Sequence, residues 1–125
     1  MGAQDPQQMH EIFGKFFNSK DADGIMSLYE DDAVIVAAPG QPAAGKAAIR
    51  EALAGFLAMN ATIEFIAEAE PVISGDLALT HAKWRLTPEG GEAMEGATAE
   101  VLRRQSDGTW LYVVDNPWGT SVLDG

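Results

Sequence analysis

The sequence predicts an α+β domain in which helices cover one face of a strongly curved antiparallel sheet. Three observations carry this. Apolar stripes at helical spacing fill the first half of the chain. After Asn60 the hydrophobic period changes from 3.6 to 2. The strands that follow are joined by short turns, which makes neighbours antiparallel.

Pro6 opens the first helix. Met9, Ile12, Phe13, Phe16 and Phe17 recur at i, i+3, i+4, i+7 and i+8 and form one stripe, while His10, Glu11 and Lys15 take the other side. Asp21 is the expected N-cap of a short second helix that turns Ile25, Leu28 and Tyr29 inward and is weakened by Gly24. Glu30-Asp31-Asp32 ends it, and residues 33–38 form a short strand. Residues 39–42 read as a loop. A third helix follows over about residues 46–59, with Ile49, Ala52, Leu53, Phe56 and Leu57 inward. Four long strands come next, at residues 62–70, 77–87, 93–105 and 109–115. Turns at 74–76 and 106–108 and a hairpin loop at 88–92 join them.

The chain has 125 residues, 46 % hydrophobic and 22 % charged, which suits one domain. That domain is expected over residues 1–125, with short flexible tails at 1–5 and 121–125. Nineteen acids against eight bases give a charge of -11, unfavourable for a phosphate backbone, so no nucleic-acid partner is expected. The absence of cysteine excludes disulfides, thiolate metal sites and cysteine nucleophiles. No stretch is apolar enough for a membrane span, and the first residues carry no signal-peptide pattern, so a cytoplasmic location is expected.

The segment Leu28-Tyr29-Glu30-Asp31-Asp32-Ala33-Val34 resembles the exit from second helix to first strand in the NTF2-like superfamily. This group includes ketosteroid isomerase, SnoaL-type polyketide cyclases and the SnoaL-like proteins. Gly45-Lys46-Ala47-Ala48-Ile49-Arg50 is similar to its glycine-led third helix, and Ser106-Asp107-Gly108-Thr109-Trp110 to the turn before its last strand. The resemblance covers about residues 7–120. It implies a cystatin/NTF2-like cone with a pocket between helices and sheet. The fold hosts isomerases, cyclases, hydratases, hydrolases, dehydratases and binders, so it does not by itself choose among them.

Several motifs drop out. Gly40 to Ala47 matches a phosphate loop until its last position, where alanine replaces the Mg²⁺-binding hydroxyl. The two histidines, His10 and His81, have no metal-ligand spacing, and Glu64, Glu68 and Glu70 are expected to meet solvent, so neither metal nor cofactor is expected. No G-x-S-x-G elbow is present.

Strand parity supplies the candidates. Ala78, Thr80, Ala82, Trp84 and Leu86 share one face, and Leu77, Leu79, His81, Lys83 and Arg85 the other. Small residues beside a tryptophan leave room, which favours Trp84 at the pocket; the opposite reading puts His81 there. Asp115 shares a strand face with Leu111 and Val113, and Tyr112 has the opposite parity. Burial there would raise the carboxyl toward the range of a general base, whereas the Asp-Asn-Pro sequence offers Asp115 a turn-capping role. The resemblance also implies a cavity-facing acid near this position. Tyr29 either donates to a substrate oxygen or anchors its helix. Phe56, Met59 and Phe65 are expected to line the cavity beside Trp84, and Trp118 either closes its mouth or makes a dimer contact. Of the adjacent Arg103 and Arg104, one is expected to point inward.

Two functional classes follow. One is an isomerase- or cyclase-like enzyme without metal or bound cofactor, with Asp115 as base and Tyr29 as donor. The other is a non-catalytic binder of a small apolar molecule, or a dimeric association module. A homodimer is expected through the face bearing Leu77, Leu79 and His81.

Overall fold

The computed structural model describes residues 2–124. Three helices, α1 (Met9–Asn18), α2 (Ala22–Met26) and α3 (Lys46–Ala58), precede most of the strands. The strands are β1 (Tyr29–Ala38), β2 (Gln41–Ala44), β3 (Thr62–Glu68), β4 (Val72–Ser74), β5 (Leu77–Thr80), β6 (Ala82–Thr87), β7 (Met94–Ala97), β8 (Ala99–Arg104) and β9 (Trp110–Asn116). One sheet runs β2-β1-β9-β8-β5-β4 and the other β3-β6-β7. The α+β architecture expected from the sequence is the one observed. Its pairs are antiparallel except β1 with β9, which run parallel because the helical segment and meander between them return the chain alongside β1.

The helices are built as their stripes require. Met9, Phe13 and Phe17 of α1 and Ile49 and Leu53 of α3 are buried in the core. The Asp21 carboxylate accepts the Gly24 N–H and caps α2. Gly24 serves packing: a Cβ there would lie 2.5 Å from the Phe16 ring. The acidic Glu30-Asp31-Asp32 stretch belongs to β1 rather than to a helix end, and the expected loop at 39–42 continues into β2, which pairs back on β1. Within the expected tails, Ala3 is fully buried and accepts the Trp110 N–H, and a 3-10 turn spans Gly119–Leu123.

The two longest predicted strands are each broken once, at His81 and at Thr98. There the Ala82 N–H donates to the Thr98 hydroxyl instead of to a carbonyl, and the Thr98 N–H donates to the Ala82 carbonyl. This bend turns β6 and β7 away from β5 and β8 and makes the combined surface concave. Two bulges add to it. In β3 the register slips between Phe65 and Ala67, and across β8 and β9 it slips so that Val101 opposes Val114 but Leu102 opposes Tyr112. An extra residue in a strand reverses the facing of everything after it. Arg103 and Arg104 both lie outside, pairing with Glu30 and Asp76 at the end of the sheet, so the inward arginine expected from adjacency is absent.

Candidate functional site

Helices α1 and α3 roof the concave surface without filling it, leaving a cavity of about 80 Å³. Phe13, Phe17, Phe56, Phe65, Trp84 and Trp118 make its apolar walls. Trp84 faces inward, as the small residues of its strand face predicted, and His81 faces out. The Trp84 indole donates to the Pro117 carbonyl and meets Trp118 edge-on at 5.9 Å, while Trp118 donates to the Val36 carbonyl. The tryptophans thus tie the segment after β9 across the cavity. Gly96 makes room for this: a Cβ there would stand 2.5 Å from the Trp84 ring. Met59 lies outside, at the C-cap of α3 and 43 % exposed, because the helix has turned past the cavity by then.

Two carboxyl side chains reach this apolar space, Asp115 from β9 and Glu100 from β8. They are direct cross-strand partners and are 6 % and 2 % exposed. The bulge at Val113 puts Asp115 on the face of Trp110 and Tyr112 rather than with Leu111 and Val113. Tyr112 therefore lines the same cavity, against the expected parity. Its hydroxyl bonds to no group among the described residues, yet no buried polar side-chain atom is left unpaired there; the hydroxyl must reach the open space of the cavity.

Tyr29 takes a different place from the one expected. Its hydroxyl donates to Asp115 Oδ2 at 2.6 Å from within the core, and its ring lies 4.9 Å from that of Tyr112. It is not part of the cavity wall. Tyr29 holds Asp115, and Tyr112 is the tyrosine available to a ligand. The Asp115 side chain is thus engaged by Tyr29 inside the core rather than in capping the Asn116-Pro117 turn.

Burial pushes the Asp115 carboxyl up from 3.8 to about 7. The Glu100 charge adds to the rise, and the Tyr29 hydrogen bond and the His10 charge oppose it. Burial also raises both tyrosines well above 10, so both stay protonated donors at neutral pH.

Glu100 is set differently. Thr80 and Thr98 hydroxyls donate to its Oε1 at 2.7 and 2.8 Å, and His10 Nε2 lies 2.9 and 3.0 Å from its two oxygens. His10 is 3 % exposed, not on the solvent side of α1. Its Nδ1 faces Glu68 Oε1 at 2.7 Å. Glu68 reaches it because the slip at Ile66 turns Glu68 to the inner side, opposite Ala82. Burial alone would lower the His10 imidazole, but the bonds and charges of Glu100 and Glu68 outweigh it and the net shift is upward. The imidazole stands between the two carboxylates. Among the described residues no group of three potential ligands is arranged to hold a metal. Glu100 alternates with Leu102 as the buried positions of β8, a pattern open to sequence reading, whereas nothing in the stripe of α1 or the alternation of β3 points to His10 or Glu68.

The family profile described as a SnoaL-like domain matches residues 9–113, most of the chain. The chain belongs to the SnoaL-like family. Solved structures agree on the fold. An NTF2-like protein of unknown function from Pseudomonas putida KT2440 superposes with a TM-score of 0.71 at 26 % identity, covering 88 % of this chain and 80 % of that one. A ketosteroid isomerase-like protein from Erwinia carotovora atroseptica SCRI1043 gives 0.67 at 22 %, covering 86 % and 87 %. An NTF2-like protein with a cystatin-like fold from Novosphingobium aromaticivorans gives 0.70 at 19 %, covering 90 % and 80 %. A comparison with curated proteins found no match. In this SnoaL-like domain no helix is long and apolar enough to cross a membrane, among the described residues.

Proposed function

We propose that this SnoaL-like domain is a cytoplasmic protein that binds a small apolar carbonyl compound and exchanges a proton with it at Asp115, without metal or bound cofactor. The observation that carries this is a buried carboxyl at an apolar cavity, held by one hydroxyl and shifted to about 7. A base poised near ambient pH is present in both forms and can take a proton and return it. In the step, the Asp115 carboxylate accepts the proton from the carbon next to the carbonyl. The electron pair moves onto the carbonyl oxygen, and the Tyr112 hydroxyl donates a hydrogen bond to it. Return of the proton to a different carbon isomerises the substrate.

The cavity limits size. A cavity of ~150 Å³ takes a benzene ring, and this one has roughly half that space. A single ring is therefore the largest ligand it takes with side-chain adjustment alone. Cyclohexanone in D₂O is a direct test, read as deuterium uptake by NMR. Wild type should catalyse exchange, and Asp115→Asn should slow it by roughly 10²–10⁴-fold with binding preserved. Full exchange by the asparagine variant would remove the assignment.

A second reading, a dimeric association module, is favoured by the convex face. Val72, Leu79, Val101, Val114 and Val34 stand opposite one another in a single row across five strands. Val72 is 64 % and Leu79 41 % exposed. Such a row invites a second copy. Sedimentation should give a dimer at micromolar concentration and a monomer for Leu79→Lys; a monomeric wild type would sink this reading.

A further inference from the structure

The Glu68–His10–Glu100 line is not used by the proposed step, and nothing in the helix stripe requires a histidine at that position. Both ring nitrogens face a carboxylate oxygen at hydrogen-bond distance. A neutral imidazole has one N–H and could serve only one of them as a donor. We infer that His10 is a positioning residue that stays doubly protonated between Glu68 and Glu100, fixes the negative charge of the cavity on Glu100, and so leaves the cavity's exchangeable proton to Asp115.

Three features of the geometry support it. Glu100 collects donors from three side chains, the Thr80 and Thr98 hydroxyls and His10. Asp115, its cross-strand partner, has the Tyr29 hydroxyl alone among the described residues. Two adjacent carboxyls in an apolar space do not both ionise readily, and the proton stays where fewer donors stabilise the charge. Glu68 is the part of the line that meets water: its side chain is 38 % exposed, against 4 % for His10 and 3 % for Glu100. A surface carboxylate therefore helps determine the charge state of a buried site.

The other charged groups around His10 do not compete. Glu11 and Lys15 on its own helix are exposed and pair with each other. Glu64 on β3 pairs with Arg85. The Phe65 ring packs 4.9 Å from the imidazole and carries no charge.

This inference deepens the reading of the cavity as a proton-exchanging site and rests on it. Its test uses the ligand-free protein, so the two can fail separately. Imidazole ¹⁵N spectra at pH 7 should show both His10 nitrogens protonated. Side-chain ¹³C titration should place the step near pH 7 on Asp115. Glu68→Gln, a half-exposed change that leaves the core intact, should lower the His10 midpoint. His10→Gln should raise the Asp115 midpoint by removing the charge that opposes its rise; if that variant does not fold, Glu68→Gln carries the test. A singly protonated His10 at pH 7, a wild-type step near pH 7 that is not on Asp115, or an unmoved His10 midpoint in Glu68→Gln would each overturn the inference. Failure of wild type to exchange cyclohexanone protons would instead remove the proposed reaction and leave these spectra as they are.

Discussion

Glu100 and Asp115 carry the same functional group, stand opposite each other on neighbouring strands and line one cavity. They differ in what donates to them. Glu100 has two hydroxyls and an imidazole, and Asp115 has one hydroxyl. Burial costs both of them hydration, so the number and charge of donors decides which one carries charge. Burial is the main cause of the raised Asp115 carboxyl, and the Glu100 charge beside it adds to the rise.

Removing the charge of Glu100 should have the largest effect. Glu100→Gln leaves a buried imidazolium with Glu68 as its one hydrogen-bonded counter-charge. Breaking a buried ion pair of this kind costs about 3–5 kcal/mol, which urea denaturation would read. A loss under about 1 kcal/mol would mean that His10 is neutral in the folded protein.

Asp115→Asn should act with the opposite sign. The folded state holds the Asp115 proton more tightly than the unfolded state does. Its contribution is therefore fully present below the ordinary value of 3.8 and is lost as pH rises through about 7. The raised His10 acts in the same direction, losing its contribution as pH rises above 6.5 through its folded value. Wild-type stability should fall between pH 4 and 8, the Asp115 share being up to about 4 kcal/mol. Asparagine should remove that share and leave only the decline due to His10. A pH-independent wild-type stability would contradict the burial of Asp115.

Tyr29→Phe removes the hydroxyl that donates to Asp115. Without its one donor, Asp115 should titrate above its wild-type midpoint, at a stability cost of about 1 kcal/mol. Carboxyl ¹³C shifts would show it, and an unchanged midpoint would take Tyr29 out of the site. The smallest effect belongs to Met59→Ala, expected to change stability by no more than about 0.5 kcal/mol and cyclohexanone exchange not at all, because Met59 is exposed beyond the end of α3.

The helices, the succession of strands along the chain and the inward face of the strand carrying Trp84 were legible in the order of the residues. Period and turn chemistry are local properties, and β6 has no bulge before Trp84 to disturb its alternation. Phe56, Phe65 and Trp84 line the cavity from the faces that periodicity gave them, whereas Asp115 reaches it on the strand face opposite to the expected one. The rest came from pairing between segments far apart in the chain. The bulge at Val113 turned Tyr112 and Asp115 to one side, the slip at Ile66 brought Glu68 under α1, and burial of His10 drew an apparently polar helix position into the core. Each of these depends on pairing between distant segments. Alternation along a strand carries no record of an extra residue until a partner strand fixes where the register slips.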